Sequence, residues 1–182
     1  MPEAGRGVIY PIGASGSHVI LTEPVLAHLA AHRQRRFWQP EAGGQLFAQL
    51  EGRDILIVEA TGPRRGDWRG RNFYRPDEAA EQAEIDARHP NGLHFVGDWH
   101  THPQAYPEPS ASDLASIADA VRRSRHDLNG FVLLVVGTLD PPEGLHVSVN
   151  DGDAGYRLAP SPSTRVEPCP PPRKLSPPIR FI

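Results

Sequence analysis

The chain has 182 residues, 38% of them hydrophobic and 23% charged, with a formal net charge of −3. That length suits one domain with an appendage and a real core, and so weak a negative balance gives no global reason to expect nucleic acid or a membrane surface as partner. No apolar run nears the roughly 20 residues of a membrane-spanning helix; the N-terminus does not read as a signal peptide; and the single cysteine, Cys169, excludes an internal disulfide and a cysteine-rich metal site, so a reducing cytoplasm is the expected setting.

Residues 1–16 are glycine-rich without a clear period and read as a loose lead-in to a domain over 17–159. A strand is expected over 18–21. Thr22 is a good N-cap, with Glu23 and Pro24 in the first turn, so a helix follows to about Arg36 with Leu26, Leu29 and Ala30 as its buried stripe and Arg33, Arg35 and Arg36 suiting its C-terminal dipole. His28 and His32 are four apart on this helix but have no third ligand, and read as surface residues. Residues 45–50 and 54–60 form two strands around the turn Glu51-Gly52-Arg53.

Residues 63–75 interleave Arg64, Arg65, Arg69, Arg71 and Arg75 with Trp68, Phe73 and Tyr74. Such a segment can be a solvated hairpin, a grip on a protein partner or, less in keeping with the acidic chain, a nucleic-acid surface. A helix is expected over 77–88 behind Pro76, then a turn at Pro90-Asn91-Gly92 and a strand over 93–102 buried through Phe95 and Val96. Residues 110–125 form the third helix, with Leu114, Ile117, Ala118 and Val121 at helical spacing. Residues 131–136 are a continuous apolar run, the mark of a central strand buried on both faces. Strands over 145–149 and, at an edge, 155–158 close the domain, and the proline-rich, net basic segment 160–182 reads as an extended tail.

The chemistry gathers around His100-Thr101-His102-Pro103 and Ser110-Ala111-Ser112-Asp113. Alternate residues of a strand share a face, so His100 and His102 point together. Pro103 ends the pairing, and Asp113 in the first turn of the next helix can fold back onto the imidazoles. Two nitrogens and one oxygen with a fourth position open are the arrangement of a catalytic zinc rather than a structural one. Ser110-x-x-Asp113 also reads as a capping box. A catalytic zinc needs a proton carrier that is not a ligand, and Glu41, before Gly43 and Gly44, is available for that role. Asp98 shares the face of His100 by parity, as a carboxylate supporting the metal ligands or as a strand-end acid near solvent.

Together, Glu41-x-Gly43-Gly44, His100-x-His102-Pro103 and Ser110-x-x-Asp113 resemble the JAMM signature of MPN-domain metalloproteases, at every motif position and across roughly residues 15 to 150. Val96-Gly97-Asp98-Trp99 resembles the bacterial branch, whose members are often encoded beside ubiquitin-activating and ubiquitin-conjugating homologues in defence or mobile-element operons. The resemblance implies a single α/β domain of the JAMM/MPN, cytidine-deaminase-like kind, a mixed sheet flanked by three helices, holding one zinc per chain on His100, His102 and Asp113. It implies Glu41 as the proton carrier, Ser110 as donor to the tetrahedral oxyanion, and as substrate an isopeptide or peptide bond after the C-terminal tail of a ubiquitin-like protein, bound as an added strand. Ubiquitin-activating-like and ubiquitin-conjugating-like proteins would be its partners. A peptidase for a sulfur-carrier protein and a catalytically silent MPN scaffold are the competing readings, the last set against an intact signature.

Overall fold

A computed structural model describes residues 7–161. The tail beyond them, with Cys169, lies outside the described residues. The elements run β1 (Val8–Pro11), β2 (His18–Leu21), α1 (Glu23–Ala31), β3 (Gly43–Glu51), β4 (Asp54–Ala60), β5 (Trp68–Gly70), β6 (Phe73–Arg75), α2 (Glu78–Arg88), a short 3-10 turn at His89–Asn91, β7 (His94–Thr101), α3 (Ala111–Arg123), β8 (Phe131–Val136), β9 (Leu145–Asn150) and β10 (Gly155–Arg157). Eight strands make one mixed sheet in the order β1-β2-β4-β3-β7-β8-β9-β10, while β5 and β6 form a separate hairpin. The pairs β2–β4 and β7–β8 are parallel and the other pairs antiparallel.

The sheet carries a core on each face, and β8 shows why. Val132, Leu134 and Val136 point into the core shared with Val25 and Leu29 of α1. Phe131, Leu133 and Val135 point into the core formed with Ile85 of α2 and with Ile117 and Val121 of α3. An unbroken apolar run is therefore what this strand requires, since both of its faces leave water.

Four expectations change. Val8–Pro11, expected within a loose lead-in, pairs antiparallel with β2 and buries Tyr10. The first helix stops at Ala31 instead of Arg36, because the next residues turn inward: Arg33 and Gln34 are buried, and Arg33 meets Asp140 at 2.7 Å, so it does not serve the helix dipole. Val25 joins Leu29 as the buried residues of α1, with Leu26 only partly buried, and Leu114 of α3 faces outward.

One irregularity decides what β7 presents. Leu46 pairs with Gly97 but Phe47 pairs with Phe95, so Val96 is an extra residue, a β-bulge. Gly97 takes φ +148°, and a Cβ there would lie 1.9 Å from the Val132 carbonyl oxygen, so glycine is required. The bulge inverts the alternation. Phe95 packs in the α2–α3 core, Val96 and Trp99 pack in the α1 core, and the positions after it present Asp98, His100 and His102 to the α3 side.

Candidate metal centre

The site lies where the C-terminal end of β7 meets the start of α3. His102, just past β7, continues the pairing by donating its N–H to the Val136 carbonyl at 2.9 Å, so both imidazoles sit on one ruled surface. Their Nε2 atoms are 3.2 Å apart. Asp113 Oδ2 lies 3.3 Å from His100 Nε2 and 3.5 Å from His102 Nε2. Two ligand atoms held about 2.0–2.1 Å from a tetrahedral zinc stand about 3.3–3.4 Å apart, so all three separations match the edges of one such tetrahedron. Among the described residues this is the one group of three or more histidine, cysteine or acidic side chains able to hold a metal ion.

Asp113 reaches the histidines because its helix start is pinned. Ser110 is the N-cap; its Oγ accepts the Asp113 N–H at 3.2 Å, and its own N–H donates to Asp113 Oδ2 at 2.7 Å. The capping box and the ligand geometry are thus one arrangement, with the backbone bond fixing the carboxylate's direction. Burial works against the Asp113 charge, yet hydrogen bonds from His100, His102 and Ser110 hold its carboxyl far below the usual range. The same bond to Asp113 outweighs burial at His102 and raises that imidazole. Ser110 Oγ also lies 2.8 Å from Ser112 Oγ, and both serines line the site cavity.

Glu41 lines this cavity from the segment just before β3 and is 7% exposed. Burial, opposed by His102 and reinforced by Asp113, pushes its carboxyl up to about 7. The glycines after it have a steric reason: a Cβ on Gly44 would lie 1.9 Å from the Thr61 carbonyl oxygen. The cavity, about 400 Å³, passes Asn72, Phe73, Tyr74, Ser116 and Ile117. It shares Phe73, Tyr74, Pro76, Glu81, Asp98 and Ser116 with a second cleft running out between the hairpin and α3, past Trp68 and Asp119. The result is a groove leading to His100, His102 and Asp113.

Asp98 is neither a bare strand-end acid nor a hydrogen-bonded support of the histidines. It lines the groove close to Glu81, and burial pushes both carboxyls up, with Asp98 adding to the rise at Glu81. The arginine-rich segment also differs from a solvated hairpin. Arg64 is held inside by Glu84 at 2.7 Å, Glu81 at 3.4 Å and Asp67 at 3.8 Å, with Gln45, Thr61 and Tyr74 around it. It is a structural hub and not available to a partner, whereas Trp68 and Phe73 stay exposed and stack edge to face beside the groove. His28 and His32 are half-buried rather than on the surface, packed on each other and on Trp99 behind β7. Sequence reasoning gave no role to Gln34, Thr101 or Glu81; theirs rest on contacts between segments distant along the chain.

The chain matches, over residues 22–149, the family described as prokaryotic homologs of the JAB domain. A curated relative from Vibrio cholerae serotype O1, named CD-NTase/cGAS isopeptidase, is 30% identical over 129 residues, covering 67% of this chain and 78% of the relative. A second of the same name, from Escherichia coli, is 27% identical over 127 residues, covering 68% and 79%. Among solved structures, a protein from Desulfitobacterium hafniense superposes with a TM-score of 0.56 at 18% identity, covering 78% of this chain and 88% of that one. Another, from Salinibacter ruber, gives 0.51 at 23%, covering 84% and 95%. These last two speak for the fold.

Proposed function

The chain belongs to the family of prokaryotic homologs of the JAB domain, and from that premise we propose that it is a zinc-dependent isopeptidase that cuts after the C-terminal tail of a ubiquitin-like protein. The hydrolytic, isopeptidase character follows from the family and from relatives that carry the name. The zinc mechanism is supported by one observation above the others: three side-chain atoms 3.2, 3.3 and 3.5 Å apart, a spacing that would suit one zinc, on residues that line the groove.

In this reading His100, His102 and Asp113 hold the ion. When bound, zinc supplies a water acidified toward neutrality and a polarised scissile carbonyl. The Glu41 carboxylate accepts a proton from the attacking water and returns it to the leaving amine nitrogen. A group raised to about 7 by burial is suited to both transfers near neutral pH. Ser110 Oγ accepts the Asp113 N–H and lies 2.8 Å from Ser112 Oγ; with Ser112 as the donor of that pair, the Ser110 hydroxyl hydrogen is left to donate to the oxyanion. The groove between the hairpin and α3 takes the tail in an extended form, with Phe73 and Tyr74 as its wall. Ubiquitin-activating-like and ubiquitin-conjugating-like proteins belong to the same reading, as the makers of the bond it cuts.

The metal half is tested by zinc content. Purified wild type should hold about one zinc per chain, and Asp113→Ala should hold none while keeping its circular dichroism spectrum. Wild type without zinc after reconstitution would leave a catalytically silent scaffold as the better reading.

A further inference from the structure

Glu41 sits on a segment with no regular secondary structure, between the end of α1 and the start of β3, yet its backbone is tied on every side. Its N–H donates to the Gly70 carbonyl at 2.8 Å, and Arg69 Nη1 donates to its carbonyl at 3.3 Å, both from the hairpin. On one side of it, the Gln39 carbonyl accepts from Gln34 Nε2 at 3.0 Å. On the other, the Ala42 N–H donates to Thr101 Oγ1 at 2.9 Å, and the Ala42 carbonyl accepts the Thr101 N–H at 2.8 Å.

Gln34 joins these ties into one unit. Its carboxamide is 2% exposed and fully engaged: Nε2 donates also to the Arg71 carbonyl at 3.1 Å, and Oε1 accepts the Thr101 hydroxyl at 3.0 Å. One buried side chain therefore links the loop carrying Glu41, the tip of the hairpin, and Thr101, which lies between the metal-facing histidines. The geometry fixes which atom donates at each link. Gln34 supplies both N–H donors and the one acceptor, and the Thr101 hydroxyl, which donates to that acceptor, itself accepts the Ala42 N–H. A side chain without both a donor and an acceptor at that reach leaves carbonyls of Gln39 and Arg71, or the Thr101 hydroxyl, buried without partners.

We propose that Gln34 is a positioning residue for Glu41: its buried carboxamide holds the proton carrier's backbone at a fixed distance from the ligands on β7 and α3, acting through Thr101 and the hairpin tip. This rests on the reading of Glu41 as proton carrier. Placing the carrier matters because displacement by about 1 Å can cost about 100-fold in rate. The clamp also makes the hairpin that walls the groove part of the scaffold that holds Glu41.

The test uses zinc-loaded full chain and two readouts. The first is amide hydrogen exchange in Gln34→Met, an apolar side chain of similar length. The clamp predicts exchange at least about 10-fold faster at the Glu41 and Ala42 amides with that of Leu134 in the central strand unchanged, the pattern of local rather than global opening. The second is the kinetics of cleavage of a ubiquitin-like fusion. Gln34→Met and Thr101→Val should each lower kcat by about 10- to 100-fold at unchanged KM and zinc content, the double variant should be no worse than the poorer single one, and Thr101→Ser should stay near wild type. Unchanged exchange at Glu41 and Ala42, exchange that rises equally throughout, or a folded, zinc-loaded Gln34→Met with wild-type kcat would each overturn the proposal. If wild type cleaves no such substrate, the proposed function fails on that result, while the exchange pattern still decides whether the clamp exists.

Discussion

The burial that gives Glu41 its raised pKa has a cost to the fold that can be measured without any substrate. Its carboxyl lies at about 7 in the fold, against 4.5 for the ordinary group. Because the folded value is the higher, the native state binds the proton more tightly than the unfolded chain does, and stability is lost as pH rises from the unfolded value through the folded one. Glu41→Gln keeps the shape and stays neutral, so it should be the more stable protein in alkaline buffer. From the two pKa values the gap is about 1 kcal/mol at pH 5 and about 3 kcal/mol at pH 8. For a chain of this size about 3 kcal/mol corresponds to roughly 6 to 12 °C in Tm. The assay is urea denaturation of metal-free wild type and Glu41→Gln at both values, keeping the slopes equal. A gap that does not widen between pH 5 and pH 8, or a Gln variant less stable at pH 8, would refute the claim that burial is what tunes this carboxyl.

Arg64→Ala removes the guanidinium held by Glu81, Glu84 and Asp67 and leaves their three carboxyl groups crowded beside the groove; a thermal melt at pH 7 should show a loss of about 3–5 kcal/mol, and a melt like that of wild type would mean the hub is dispensable. Ser110→Ala deletes the N-cap of α3 and the hydroxyl facing the groove; stability should fall by about 1 kcal/mol and kcat by about 100-fold with KM nearly unchanged, whereas a kcat loss no larger than the loss of folded protein would reduce Ser110 to a helix cap.

That His100, His102 and Asp113 come together was legible because the logic is local. His100 and His102 need only the two-residue period of a strand, and Asp113 needs only a helix start that Ser110 announces. Glu41 was legible from its motif alone, since nothing nearby in sequence says that its backbone is bonded to Gly70 and Arg69. The buried strand over 131–136 showed itself by composition, and the turn at Gly52 by its residues. What could not be read depends on contacts made across the fold. The extra residue at Val96 inverts the faces of β7, which parity counted forward from Phe95 misses. Arg64 looked like a surface arginine because the carboxylates that enclose it come from Asp67 and from α2. Gln34 fell unremarked within the expected first helix, and its role exists only once the loop, the hairpin tip and Thr101 come together. Tyr10 is buried because β2 offers a free edge to β1, something a short glycine-bounded stretch does not reveal.

The most direct test of the central claim is cleavage of an isopeptide-linked conjugate of a ubiquitin-like protein by the zinc-loaded chain, followed by mass spectrometry of both products. Wild type should release the modifier with its C-terminal tail intact and the lysine amine restored, and Glu41→Gln should not, although that variant keeps its zinc. Equal cleavage by Glu41→Gln, or cleavage that persists in Asp113→Ala after its zinc is gone, would contradict the claim.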